Sequence, residues 1–375
     1  MPERLALVTG GAGLIGSHVA DLLLTRGWRV RVLDNLEPQT HGGGRPAWIA
    51  EGAELCIGDV RDRDHVRSAL LGVDTVFHLA AYGGYMPELA KFFEVNSVGT
   101  AVLLETIRDR VLPVRRIVLA SSQAVYTEGA VRCTAHRLRF PPRRDPERLA
   151  VGQFEVPCPE CGGRAASVPT PECAPIGGET VYALTKHDQE RLALAWARQT
   201  GVPVVALRFA CTYGPRQSMH NPYTGVIAVF CTRLLNGLPP VLYEDGRQTR
   251  DLCYVGDIAR ACLLAAETSD LDGLAVNVGT GRPVAMRDLA LVLGHLLGAR
   301  IEPEVPGEYR PGEMRALTAD IGLARRAGFE PEVALEDGLG RHVAWVRSQG
   351  PVGERFAASR DLLKRRGVVH RVGGC

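Results

Sequence analysis

The sequence predicts an α/β protein: a doubly wound parallel sheet, a smaller C-terminal α/β substrate domain, and a Cys/His-rich insert within the sheet domain. Three observations predict it. Short apolar runs alternate with helical patterns through the first half, and the runs are apolar at nearly every position, as strands covered on both faces must be. A glycine-rich turn follows the first run. The stretch from Tyr126 to Thr180 breaks the rhythm with Pro, Gly, Arg and Cys. Of 375 residues, 46% are hydrophobic and 23% charged, enough for a core of ordinary size. Lys+Arg is 44 against Asp+Glu 42, a formal charge of +2. That balance gives no global field for polyanions or anionic lipid and argues against nucleic-acid and membrane partners. No apolar run approaches the roughly 18 residues of a membrane span. The apolar stretch 5–8 is too short for a signal peptide, so a cytoplasmic location is expected.

The elements follow in order. Strand 5–9 leads into Thr9-Gly10-Gly11-Ala12-Gly13-Leu14-Ile15-Gly16 and a helix over 14–26. Glycines there allow a tight turn, close backbone approach to a pyrophosphate, and close packing of the helix on its strand. Strand 29–34 ends in Asp34, about 20 residues on, where a carboxylate accepts from a ribose 2′-hydroxyl. This is a Rossmann-type dinucleotide fingerprint. Asp34 followed by Asn35, with no adjacent Arg, favours NAD over NADP, with Arg45 the nearest candidate for a 2′-phosphate. Strands 54–59, 75–80, 116–121 and 202–209 alternate with helices 63–71, 87–110 and 180–200. From about Gly214 the pattern turns irregular, with helices near 226–236, 256–267, 286–297 and 338–348. The expected partition is a Rossmann domain over 1–126 and 180–212, an insert over 127–179, a smaller substrate domain over 213–349, and a tail over 350–375 read as a helix and a loose end.

Ser122 ends the fifth strand, where ligands bind in such sheets. Tyr182-Ala183-Leu184-Thr185-Lys186 opens a helix, and the i,i+4 spacing puts Tyr182 and Lys186 on one face. A phenol is a poor base at neutral pH, and an ammonium beside it is expected to bring its pKa down. Ser122 would hold the oxygen whose proton Tyr182 takes.

These pieces resemble the extended short-chain dehydrogenase/reductases over roughly residues 4–330. The likeness is carried by the glycine motif, Asp34, Asp59-Val60, His78-Leu79-Ala80-Ala81, Asn96, Ser121-Ser122, Tyr182 with Lys186, Tyr213-Gly214-Pro215 and Arg250-Asp251. The resemblance implies a nucleotide-sugar substrate and NAD as cofactor. It implies that NAD lies on Gly10, Gly13, Leu14, Ile15, Gly16, Asp34 and Asn35, with Asp59 and Val60 at the adenine. Leu79, Ala80, Ala81 and Asn96 would serve the cofactor cleft, with Tyr182 and Lys186 at the reactive end. Gly83, Tyr85, Ser122, Gln123, Cys211 and Asn221 are the implied sugar-side residues. Cys211 replaces the Asn that many members carry, and Thr127 a Gly. Arg250 and Arg310 (in Tyr309-Arg310-Pro311-Gly312-Glu313) are expected at the diphosphate, because guanidinium forks match phosphate oxygens. Family dehydratases carry an Asp-Glu pair after the Ser/Thr. Here Gln123 and Ala124 stand there, and Ala124 moves no proton. A narrower likeness, through Tyr213–Ser218, Asn221-Pro222-Tyr223-Thr224-Gly225 and Glu244-Asp245-Gly246, is to the dTDP-L-rhamnose 4-epimerase type. It points to inversion at C4 of a nucleotide-activated sugar through a 4-keto intermediate. A 4-ketoreductase and a non-catalytic binding protein are the competing readings. By family analogy a homodimer would form through helices 87–110 and 180–200.

Cys133-x-x-His136 and Cys158-Pro159-Glu160-Cys161 form two half-sites about 20 residues apart, the spacing of a structural Zn2+ site. Cys173 is the alternative fourth ligand to His136. His78 reads as a strand-end residue and not a base.

Overall fold

The computed structural model describes residues 4–42, 44–86, 88–109, 112–221, 223 and 225–373. In chain order the strands are β1 (Leu5–Thr9), β2 (Arg29–Asp34), β3 (Ala53–Ile57), β4 (Thr75–His78) and β5 (Arg116–Ser122). The insert follows with β6 (Val131–Cys133), β7 (Arg137–Arg139) and β8 (Ala166–Ser167). Then come β9 (Val204–Phe209), β10 (Cys211–Tyr213), β11 (Thr249–Tyr254), β12 (Ala275–Val278), β13 (Pro283–Ala285), β14 (Glu308–Tyr309), β15 (Ala316–Leu317) and β16 (His370–Arg371).

The main sheet has seven strands in the order β12-β9-β5-β4-β1-β2-β3, all parallel. One face buries Val19, Leu23 and Ile258 from the Leu14–Thr25 and Val255–Glu267 helices. The other face is covered by Arg63–Leu70, Gly99–Asp109 and Val181–Thr200, through Val66, Leu103 and Trp196. The last of these helices starts where Thr180 accepts from the Ala183 amide and ends on Gly201 in the left-handed region (φ 75°).

The structure differs from expectation in four places. Residues 275–278 and the helix before them join the seven-stranded sheet, although the sequence placed them with the substrate domain. The expected helix 87–110 is three pieces: Leu89–Phe92, a π-turn over Phe93–Val98, and Gly99–Asp109. Pro87 and Arg110 lie outside the described residues. Where the sequence shows no clear strand or helix, the insert forms a small antiparallel sheet, β7-β6-β8, and a short helix, Pro146–Ala150, capped by Asp145. The tail is not loose, because β16 pairs antiparallel with β14 after the Phe356–Arg365 helix.

The insert leaves and rejoins the sheet domain at a closed neck. Tyr126 and Ile176 form an antiparallel bridge, and the Gly177 and Gly178 amides both donate to the Val125 carbonyl. A second sheet, β10-β11-β13 with β15, carries the C-terminal domain, whose core centres on Tyr213, Leu289 and Leu339. Among the described residues no helix is long and apolar enough to cross a membrane.

Leu207 lies on β9 and is buried against both neighbouring strands and the helix layer. Leu207→Ala is expected to cost about 2–5 kcal/mol, the range for deleting a buried leucine. A fall in the urea midpoint followed by circular dichroism checks it, and an unchanged midpoint would contradict this placement of the core.

Candidate active site

At the C-terminal ends of β1, β2, β4, β5 and β9, where the strand order reverses, a cleft of about 700 Å3 opens. Its floor is the glycine turn. Gly10 has φ 68°, and a Cβ there would stand 2.8 Å from the Ala80 backbone. A Cβ on Gly16 would stand 2.2 Å from the Gly10 carbonyl oxygen. Gly13 caps the Leu14–Thr25 helix without a side-chain acceptor, so the first amides of that helix remain for an anion. Asp34 Oδ2 accepts the Ala12 amide at 2.9 Å and Oδ1 the Leu36 amide at 2.9 Å, which leaves further lone pairs on both oxygens. Arg45 is exposed and does not line the cleft. His41 does, with Nε2 3.7 Å from Asp34 Oδ1. Trp48 closes the same end by donating to the Ala12 carbonyl at 3.0 Å. His41 and Trp48 escaped the sequence reading because residues 36–50 show no periodic pattern.

Asn35, Asp59, Val60, Leu79, Ala80 and Ala81 all line the cleft. Burial works against ionisation of Asp59, but hydrogen bonds from Arg61 and Asn35 hold its pKa at about 2. Asn96 does not line it. Its side chain accepts the Tyr82 amide and donates to the Tyr82 carbonyl and Thr185 Oγ1, so it ties the loop after β4 to the Val181–Thr200 helix. The π-turn lets Asn96 point there.

A buried hydrogen-bond chain joins the C-terminal ends of β1, β4 and β5. Thr9 Oγ1 accepts the Leu79 and Ala80 amides, so its proton goes to His78 Nδ1 at 2.8 Å. His78 Nε2 then donates to Thr100 Oγ1 at 2.9 Å, and Gln189 Nε2 donates to the same oxygen at 2.7 Å. Lys186 Nζ donates to Gln189 Oε1 at 2.8 Å and to the Ala120 carbonyl of β5 at 2.7 Å. Burial and the charge of Lys186 bring the His78 pKa down to about 3, so the ring is neutral, as a non-basic strand-end residue should be. Burial alone brings Lys186 to about 7. The expected effect of the lysine on the phenol is not what the geometry gives. Burial pushes the Tyr182 pKa up, the Ser122 hydrogen bond opposes the rise, and the Cys211 thiol adds to it. The ammonium is engaged by Ala120 and Gln189 instead.

Ser122, Tyr182, Gly83, Tyr85, Gln123, Cys211, Asn221, Arg250 and Arg310 all reach the cleft. Pro222 and Thr224 of the quoted motif lie outside the described residues. Six buried polar atoms of cleft residues, His41 Nδ1, Gln123 Nε2, Arg216 Nη1, Gln217 Oε1, Ser218 Oγ and Tyr243 Oη, have no hydrogen-bond partner within the described chain. Such orphans suit a polyhydroxylated ligand. The two arginines meet a residue to which the sequence reading gave no role. Glu313 accepts from Arg250 at 3.1 Å and from Arg310 at 2.8 and 2.9 Å. Burial opposes it, yet Arg310 and Arg250 hold the Glu313 carboxyl below its ordinary value. Arg310 also sits over the rings of Tyr85 and Tyr243, 4.1 and 4.4 Å from their centroids. The Arg310-x-x-Glu313 spacing was the available signal for this pair.

In the insert, Cys133, His136, Cys158 and Cys161 place their ligand atoms within 4.8 Å of one another. Sγ–Nδ1 separations are 3.8 and 3.6 Å, and Cys133 Sγ lies 3.9 Å from Cys161 Sγ. His136 is the fourth member, and Cys173 is not in the group.

A family model described as the NAD dependent epimerase/dehydratase family matches residues 6–145 and 160–279. The chain belongs to that family. The unmatched stretch falls inside the insert. The chain is 34% identical to the dTDP-L-rhamnose 4-epimerase of Burkholderia thailandensis over 356 residues, 92% of this chain and 95% of that one. It superposes on UDP-glucose 4-epimerase from Thermotoga maritima, solved with UDP-glucose, with TM-score 0.74 and 30% identity, covering 92% of this chain and 99% of that one. The Thermus thermophilus UDP-glucose 4-epimerase, solved with NAD, gives TM-score 0.70 at 29% identity, over 93% and 100%.

Lys186 titrates near 7 when folded and near ~10.4 when unfolded. Between those values the unfolded chain binds the extra proton, so the penalty is complete below about 7 and disappears as pH rises. Lys186→Met is therefore expected to be more stable than the parent at pH 7, with the gap narrowing by pH 10. Urea midpoints at the two pH values check this, and a gap that widens with pH would refute it.

Proposed function

We propose that the protein is an NAD-dependent 4-epimerase of a nucleotide-activated sugar. The observation that carries it is the convergence of Ser122, Tyr182 and Lys186 on one cleft with an uncapped glycine-turn helix and Asp34. The relatives' names support the substrate class. The glycine cradle and the spare lone pairs of Asp34 fit a dinucleotide, and Gly10, Gly13, Leu14, Ile15, Gly16, Asn35 and Val60 would line its berth. When bound, NAD+ supplies a reversible hydride acceptor for C4 of the sugar. Tyr182 Oη takes the C4 hydroxyl proton and returns it after the 4-keto sugar has turned over. The Ser122 hydroxyl donates to the sugar oxygen. Lys186, one turn after Tyr182 on the same helix, ties that helix to the Ala120 carbonyl of β5 and so holds Tyr182 at the cleft. Ala124, two residues after Ser122, offers no acid or base for dehydration, and Glu179 is engaged by Arg143. Arg250 and Arg310 are the diphosphate ligands in this reading.

A structural Zn2+ on Cys133, His136, Cys158 and Cys161 belongs to the same proposal. Zn–S bonds of about 2.3 Å and Zn–N bonds of about 2.05 Å in a tetrahedron require S···S near ~3.8 Å and S···N near ~3.6 Å. Three separations, of 3.8, 3.6 and 3.9 Å, match these values, all four ligand atoms lie within 4.8 Å of one another, and the donor set is that of closed structural sites. A homodimer is supported by exposed Leu89, Phe93 and Val98 on one long helical stretch and Leu184 and Leu192 on the other. Action in the cytoplasm completes the reading.

Purified protein incubated with UDP- and dTDP-linked hexoses, with no cofactor added, is expected to form the C4 isomer without net NADH. Tyr182→Phe should lower kcat by about 10²–10⁴-fold. Conversion only with added NADPH would mark a ketoreductase instead.

A further inference from the structure

We propose that the metal clasp of the insert positions the Arg250/Arg310 wall of the cleft; this rests on the structural Zn2+ of the preceding reading. Three arms leave the clasp, and each carries a charged side chain to one place. From Cys133 the chain runs back to Glu128, from His136 it runs through β7 to Arg144, and from Cys158 it runs back to Glu155.

Glu128 and Arg144 are both buried and face one another at 3.3 Å. Arg144 Nη2 reaches Glu244 at 2.8 Å and donates to the backbone carbonyl of Glu313, the residue that grips both cleft arginines. Glu128 accepts the Arg315 amide at 2.5 Å. The Arg315 guanidinium takes Glu244 at 2.9 Å, Asp245 at 2.6 Å and Glu155 at 2.6 Å. These partners bracket the wall: Glu244 and Asp245 precede the strand of Arg250, and Arg315 follows Glu313. Gly129 seals the contact, since a Cβ there would stand 2.0 Å from the Ala316 carbonyl oxygen.

The insert cannot hold these arms by burial. Its strands have two or three residues, and its apolar contacts are two small groups around Tyr126 and Leu149. A lone hairpin of that size is marginal in water, so the clasp must supply the folding energy. Buried charges without a fixed partner are costly. With the clasp open, the buried Glu128 and Arg144 would move to water, the already exposed Glu155 would leave Arg315, and residues 308–317 would lose what orients Glu313.

The test uses the purified holoenzyme without substrate. Mass-spectrometric metal analysis should find one Zn2+ per chain. After chelation, peptides covering 244–250 and 308–317 should exchange amide hydrogens roughly tenfold faster, while those of β1 and β5 keep their protection. Arg144→Gln should keep its Zn2+, reproduce the faster exchange at 308–317, and raise KM for the nucleotide sugar more than it lowers kcat. Absence of stoichiometric metal overturns the proposal. So does chelation that leaves 308–317 unchanged, or that strips protection from the whole sheet, since the clasp would then serve nothing or everything. Metal content and exchange are read without knowing the sugar, so a failed epimerase assay leaves them standing.

Discussion

The site depends on a buried run of hydrogen bonds that ties three parallel strands to two helices. Thr9 at the end of β1, His78 at the end of β4 and the Ala120 carbonyl near the end of β5 are joined through Thr100, Gln189 and Lys186. Lys186 Nζ has two acceptors in the run, and each of the other donors has one. A neutral His78 with its proton on Nε2 is the form that satisfies both threonines. Strand ends in a parallel sheet otherwise fray toward the cleft, so this run decides where Ser122 and Tyr182 stand relative to the glycine turn. The cost is a lysine buried to 2% exposure, kept because its neighbours accept from it.

The cleft has two electrostatic characters. At the glycine end, fixed backbone amides face Asp34, a carboxylate with capacity to spare. At the opposite end two arginines share Glu313, and Arg310 is stacked between two tyrosines. A guanidinium held by rings and a carboxylate keeps its orientation when an anion arrives, and little side-chain entropy is lost on binding.

Much of this was legible in the sequence. Strands buried on both faces are written as continuous apolar runs, and Tyr182, Lys186, Ser122 and the cysteine half-sites are fixed by spacing and by their place at strand or helix ends. What was not legible depends on tertiary packing. β12 has four residues and follows a stretch of different character, so nothing local assigns it to the first sheet. The strands of the insert are shorter still. Asn96 was read as a cofactor ligand because the π-turn that aims it at the Tyr82 backbone leaves no periodic trace. The lysine was expected to act on the phenol because helical spacing puts both on one face. Spacing does not show that the Ala120 carbonyl and Gln189 stand nearer. Glu313 follows Arg310 by three residues, but its role depends on Arg250, which is distant in sequence.

The closed neck of the insert has a consequence for how such enzymes diversify. Because Tyr126 pairs with Ile176 and two glycine amides lock onto Val125, the span between Ser122 and Tyr182 is set at the neck and not by what lies beyond it. The loop outside can lengthen, acquire ligands or be exchanged between lineages while Ser122 and Tyr182 stay where they are. Recombination at that pinch point would move the Cys/His cluster and the three arms that leave it as one cassette, while the residues that line the cleft stay with the rest of the chain.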